Sequence, residues 1–108
     1  MSGEIPEGLA IESIWVVEAT LGPDAAERRP AVRAEHLTRL ARLREAGTVI
    51  EAGAFADMSA SLLLVRAASE DAASKLARED VYFRSGVWSG FRVRPFGRMV
   101  KLDELKPD

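Results

Sequence analysis

The chain predicts an α+β domain in which a β-α-β-β-α-β order lays one antiparallel sheet against two helices. Three observations carry this. Strand-like runs rich in β-branched and aromatic residues recur along the chain, stretches of helical period separate them, and the two middle strands are joined only by a short turn. The order is the split βαβ arrangement of ferredoxin-like domains. At 108 residues, 47% of them hydrophobic, the chain suits one domain with a buried core.

Residues 1–10 mix glycine, proline and glutamate without a period and are expected to form a flexible extension, so the domain proper is placed at 11–100. Ile11–Thr20 is the first strand. Ile14 and Val16 fall on one side and Trp15 and Val17 on the other, and a strand apolar on both parities asks for both faces to be covered. Leu21-Gly22-Pro23-Asp24 breaks it. A helix is expected over Pro30–Ala46, with Pro30 in its first turn, a stripe of Leu37, Leu40 and Leu43, and Gly47 as the residue that ends it.

Thr48–Phe55 and Ser61–Ala67 read as a strand pair joined through Asp57-Met58-Ser59-Ala60. Ser69 is the expected N-cap of a second helix running to about Arg78, with Ala73, Leu76 and Ala77 facing inward. Asp80–Ser85 is short and irregular or helical. Gly86–Phe96 gives the last strand, which Gly97–Val100 prolongs past a bend expected at Pro95, and 101–108 is a polar tail expected to fray. Trp15, Val17, Val65, Phe91 and Val93 are too apolar for an open sheet face in water, so a second copy is expected to stack on the sheet as a homodimer.

The composition narrows the function. A net charge of −2 offers no basic stripe for nucleic acid, and no apolar run reaches the length of a membrane span. Arginines cluster at Arg28, Arg29, Arg33, Arg39, Arg42 and Arg44, but Glu27, Glu35 and Glu45 interleave, which reads as a solvated helix surface. No cysteine is present, and the first residues lack the basic and apolar regions of a secretory signal, so the expected location is cytoplasmic. One histidine and no spaced ligand set argue against a metal, and Gly86-Val87-Trp88-Ser89-Gly90 has neither the lysine nor the spacing of a phosphate loop. No cofactor is expected.

That leaves His36, the one side chain of the type whose ordinary pKa lies near neutrality. It shares a helix face with Leu40 and Leu43 at i, i+4 and i+7 spacing. Such a residue is either a buried histidine bonded to a carbonyl or a general base or acid in a pocket between helix and sheet. Arg33, one turn earlier, is a weak candidate for attracting a carboxylate or phenolate. Tyr82 and Ser61 are weak candidates for holding substrate, and Tyr82 reads first as an interface aromatic with a wet tip. Ser59, Ser61, Ser85 and Ser89 stand in no nucleophile-elbow pattern, which argues against covalent serine catalysis.

Arg33-Ala34-Glu35-His36-Leu37-Thr38-Arg39-Leu40, then Leu43-Arg44-Glu45-Ala46-Gly47 and Gly53-Ala54-Phe55, resembles the YCII-related family. So do Glu79-Asp80-Val81-Tyr82-Phe83-Arg84-Ser85-Gly86-Val87-Trp88 and Val93-Arg94-Pro95-Phe96. The resemblance implies a dimeric α+β barrel and an active-site His-Asp pair at His36 and Asp80. Taken alone, Asp80 reads as a turn or capping residue. Paired with His36, it would accept one ring N–H, fix the tautomer and leave the other nitrogen to substrate. Some relatives are thought to act in elimination or dehydrochlorination of hydroxylated aromatics. The chain departs from the family at Val81, where proline usually follows the aspartate. The expected function is cofactor-free acid–base chemistry, elimination or isomerisation, on a small hydroxylated compound. The alternatives are a non-catalytic ligand-binding or interaction module on the same scaffold and, by fold analogy alone, a cofactor-independent monooxygenase.

Overall fold

The computed structural model describes residues 3–105, so the ends of the expected extension and tail (1–2 and 106–108) lie outside the described residues. The elements follow in the order β1 (Leu9–Leu21), α1 (Ala25–Glu45), β2 (Val49–Ala54), β3 (Ala60–Val65), α2 (Glu70–Arg78), α3 (Val81–Arg84) and β4 (Trp88–Lys101). The sheet runs β2-β3-β1-β4 with every neighbouring pair antiparallel. This is the ferredoxin-like α+β arrangement that the element order predicts.

The outer strands reach further than their sequence patterns suggest. Leu9 and Ala10 pair with Lys101 and Val100, so β1 opens inside the expected extension and β4 runs into the expected tail. Leu102 N–H donates to Gly8 O at 2.9 Å, which ties the two ends together. Pro95 sits opposite Trp15 within β4 and does not end the ladder. An edge strand tolerates the missing N–H there, because one side of it has no partner strand.

Helix α1 starts five residues before Pro30, which occupies the helix interior. Asp24 O accepts from the N–H groups of Glu27 and Arg28, so the first turn closes upstream of the proline. The other end matches expectation. Gly47 has φ +82°, its N–H donates to Arg44 O, and Thr48 N–H donates to Leu43 O. These two bonds form a Schellman closure, which needs the left-handed residue that glycine supplies. Ser69 Oγ accepts from Ala72 N–H at 3.1 Å and so caps α2.

The core lies between the sheet and the helices. Val17, Ala19, Leu63, Val65 and Trp88 of the sheet meet Leu40 of α1 and Ala73 and Ala77 of α2. Trp15, Phe91 and Val93 pack against the same core, so they belong to the covered face and are not the surface that a second copy would bury. The open face carries Ile14 and Val16 of β1, with Leu62, Leu64 and Phe96 in cross-strand register. Leu37 is also a correction: it is half exposed, and the inward stripe of α1 is His36, Leu40 and Leu43. No helix among the described residues is long and apolar enough to cross a membrane.

Candidate active site

The site is assembled from the middle of α1, the entry to α3 and the sheet beneath them. His36 enters from α1 because the spacing that buries Leu40 buries it too; it is 5% exposed. Asp80 enters from the short link between α2 and α3 and is fully buried. Its backbone is extended, with φ −72° and ψ 140°, and its Oδ1 accepts from Tyr82 N–H at 2.9 Å. Asp80 is therefore the N-cap of α3 as well as the partner of His36, so both readings of this residue describe the same side chain.

His36 Nδ1 lies 2.6 Å from Asp80 Oδ1. Arg39, one turn along α1, donates from one guanidinium nitrogen to Asp80 Oδ2 at 2.8 Å and from another to Leu76 O at 2.8 Å. Leu76 lies in the last turn of α2, where backbone carbonyls run out of helical donors, so Arg39 caps α2 while it anchors Asp80. Burial pushes the Asp80 carboxyl up. The hydrogen bonds from His36 and Tyr82 N–H, with the charges of His36 and Arg39, outweigh it and hold Asp80 below the ordinary aspartate value. An ionised Asp80 only accepts, so the proton between the pair sits on Nδ1 and Nε2 is the nitrogen left for other partners.

Two rings fix the imidazole plane. Tyr82 stacks on His36 at 3.6 Å between ring centroids and 7° between planes. Trp88 meets both rings edge-on, at 5.6 Å from His36 and 5.8 Å from Tyr82. Its indole N–H donates to Ser61 Oγ at 3.1 Å. A carboxylate on one edge, a stacked ring on one face and an indole edge leave His36 little rotational freedom.

Beside it is a cavity of about 180 Å³ lined by His36, Tyr82, Ser61 and Arg33. The structure thus brings four of the five sequence candidates around one space, with Asp80 behind His36. Leu21, Leu40 and Leu63 supply apolar lining, and Ala52, Gly53 and Ala54 of β2 form a small-residue wall.

Sequence reasoning missed three contributors. Arg39 belongs by sequence to the solvated helix surface, yet it makes two partly buried contacts, and its i+3 position from His36 is the available signal. Arg29 also lines the cavity, one turn before Arg33. Trp88 was read only as part of a strand. No acidic side chain lines the cavity, and no cluster of metal-ligating side chains occurs among the described residues.

Comparison with known proteins agrees with this architecture. The protein YciI of Escherichia coli is 29% identical over 96 residues, which is 80% of this chain and 98% of that protein. The Shigella flexneri protein of the same name matches to the same extent. Among solved structures, the 5-chloro-2-hydroxyhydroquinone dehydrochlorinase TftG of Burkholderia phenoliruptrix, in complex with 2,5-dihydroxybenzoquinone, is similar in fold. It has a TM-score of 0.67 at 20% identity, covering 77% of this chain and 92% of its own. The YCII-related domain matches residues 13–97, from within β1 to late β4, and the chain therefore belongs to the YCII-related family.

Proposed function

We propose that the protein is a cofactor-free acid–base enzyme in which His36 Nε2 moves a proton on a small hydroxylated ring compound. The observation that carries this reading is the 2.6 Å contact between His36 Nδ1 and a fully buried Asp80, made beside a cavity that His36 itself lines. Asp80 acts as the positioning residue. It holds the Nδ1–H tautomer and stabilises the positive charge that forms when Nε2 takes a proton.

The chemistry follows from that geometry. Nε2 accepts a proton from a ring hydroxyl or an adjacent C–H, and the electron pair left behind forms a new π bond. In elimination, a leaving group on a saturated ring carbon adjacent to, or conjugated with, the new π bond departs with its bonding pair, and the imidazolium releases its proton to water. In isomerisation, the same proton returns to a different ring carbon. General acid–base catalysis of this kind contributes typically ~10²–10⁴-fold. TftG is named as a dehydrochlorinase of a hydroxylated ring, which is elimination of this type, and it supports the reading through a shared fold.

A homodimer formed through the open sheet face belongs to the same proposal. Val16, Leu62, Leu64, Pro95 and Phe96, with Arg94, line a mostly apolar hollow of about 450 Å³ there. Ion pairs from Glu18 to Arg92 and Arg94 flank it. A second copy laid on this face would remove that surface from water.

One observation favours the binding-module alternative. Asp80 accepts from three donors and ties α1 to α3, while Arg39 carries the link on to α2, as a purely structural carboxylate network would. A panel of hydroxylated aromatic and small-acid substrates, some bearing halide, separates the two. The enzyme reading expects turnover by the wild type and a loss of at least ~10²-fold in His36→Asn. Ligand binding unchanged in His36→Asn with no turnover by the wild type supports the binding module.

A further inference from the structure

Two arginines of α1 line the cavity, and the other arginines of the helix do not. Arg28 reaches Asp24 and Ser85 O, Arg39 reaches Asp80, and Arg44 reaches Glu51. Arg29 and Arg33 line the cavity, and neither has a carboxylate partner among the described residues. Arg29 is half-buried and donates to Met58 Sδ at 2.8 Å. A thioether is a weak acceptor that carries no charge, so it orients the guanidinium without neutralising it. Arg29, Arg33 and His36 follow i, i+4, i+7 spacing on one face of α1, and the cavity has no acidic side chain in its lining.

The size of the cavity limits what those cations meet. At about 180 Å³ it is slightly larger than the ~150 Å³ apolar cavity that accommodates a benzene ring. Leu40 and Leu63 offer apolar contact to a ring, and Ala52, Gly53 and Ala54 present little bulk opposite α1. Ser61 Oγ already accepts from Trp88, so its own hydrogen remains for a ligand acceptor. The site thus combines an apolar interior, the Ser61 hydroxyl as a donor and a cationic margin.

We infer that the cavity selects a monocyclic compound carrying a negative charge, with Arg29 and Arg33 holding that anion while the ring lies beside His36. The inference rests on reading this cavity as the ligand site and adds the charge class of the ligand. A carboxylate and an ionised ring hydroxyl share the required chemistry. Arginine suits either, because its planar fork donates two parallel hydrogen bonds to an oxyanion. The two cations bind the ligand, while proton transfer stays with His36.

Isothermal titration with paired probes tests this without requiring turnover. Benzoate is compared with neutral benzamide, and 4-nitrophenolate with neutral 4-nitroanisole, at low ionic strength. At least one anion is expected to bind about tenfold or more tighter than its neutral partner, and the pair showing the preference identifies the oxyanion. Arg29→Gln/Arg33→Gln should abolish the preference and leave neutral-probe binding unchanged. Arg29→Lys/Arg33→Lys, which keeps the charge, should retain part of it and guards against a folding defect in the glutamine variant. Equal binding of charged and neutral probes, a preference that survives the glutamine variant, or no binding of any probe overturns the inference. His36→Asn should keep the preference. Anion selectivity in a wild type that turns nothing over would therefore leave this inference standing and remove the proton-transfer reading.

Discussion

Replacing Asp80 with asparagine tests the centre of the site in one atom. The aspartate accepts from His36 Nδ1 and Tyr82 N–H on Oδ1, and from Arg39 on Oδ2. Asparagine can keep the first oxygen, but its amide nitrogen must then face the Arg39 guanidinium, donor against donor. One charge-assisted bond is lost, normally worth ~1.5–3 kcal/mol, and a cation is left without its buried partner. Breaking a buried pair in this way costs ~3–5 kcal/mol, against a total stability of ~5–15 kcal/mol for a domain. For a chain of about this size each kcal/mol moves Tm by ~4–8 °C, so Asp80→Asn should melt at least ~12 °C lower by circular dichroism. The variant also loses the group that selects the imidazole tautomer, so turnover of any productive substrate should fall by ~10²-fold or more. A melting point within about 3 °C of wild type would refute this account of the network.

Acid should expose the same group. Asp80 is held below its ordinary value of 3.8 in the fold, so its stabilisation is complete above that value and is lost as the pH falls through the folded pKa. The Tm gap between wild type and Asp80→Asn should narrow on acidification below about pH 4, and a gap that widens contradicts the assignment. Val81→Pro should be nearly silent, because Asp80 already has the extended backbone that precedes proline and Val81 opens α3, where proline is tolerated. A thermal melt should show a change within ~5 °C, and a fall beyond ~10 °C would mean that the Val81 side chain matters more than its backbone. Sedimentation at micromolar concentration should give about twice 11.8 kDa. Leu64→Glu on the open face should return the mass to one chain, and a wild type that sediments as a monomer contradicts the stacked-sheet proposal.

The sequence made the element order readable because each segment carried its own local signal. Gly47 and Ser69 are legible for that reason: a left-handed helix end and a capped helix start are decided within a few residues. Pro30 misled because proline is at home in a first turn, and the earlier start depends on the backbone of Asp24. Which parity of β1 faces the helices was not legible, since Ile14, Trp15, Val16 and Val17 are all apolar and only the packing distinguishes them. The site divides in the same way. Helical spacing placed His36 beside Leu40, but no local pattern relates it to a residue in another element, and Asp80 was reached only through family resemblance. Arg39 escaped notice because a helix arginine among glutamates looks solvated until α2 presents the Leu76 carbonyl to it.

One proton distinguishes a catalytic imidazole from a structural one. If Asp80 holds the imidazole for chemistry at Nε2, the Nδ1 of His36 carries the hydrogen in the neutral ring. His36 is the only histidine in the chain, so long-range ¹⁵N–¹H correlation spectra report it without assignment ambiguity. The account predicts a pyrrole-type Nδ1 and a pyridine-type Nε2 in the neutral wild-type ring, with the Nδ1 proton shifted downfield by the 2.6 Å bond to Asp80 and that shift lost in Asp80→Asn. A neutral ring protonated on Nε2 would contradict it.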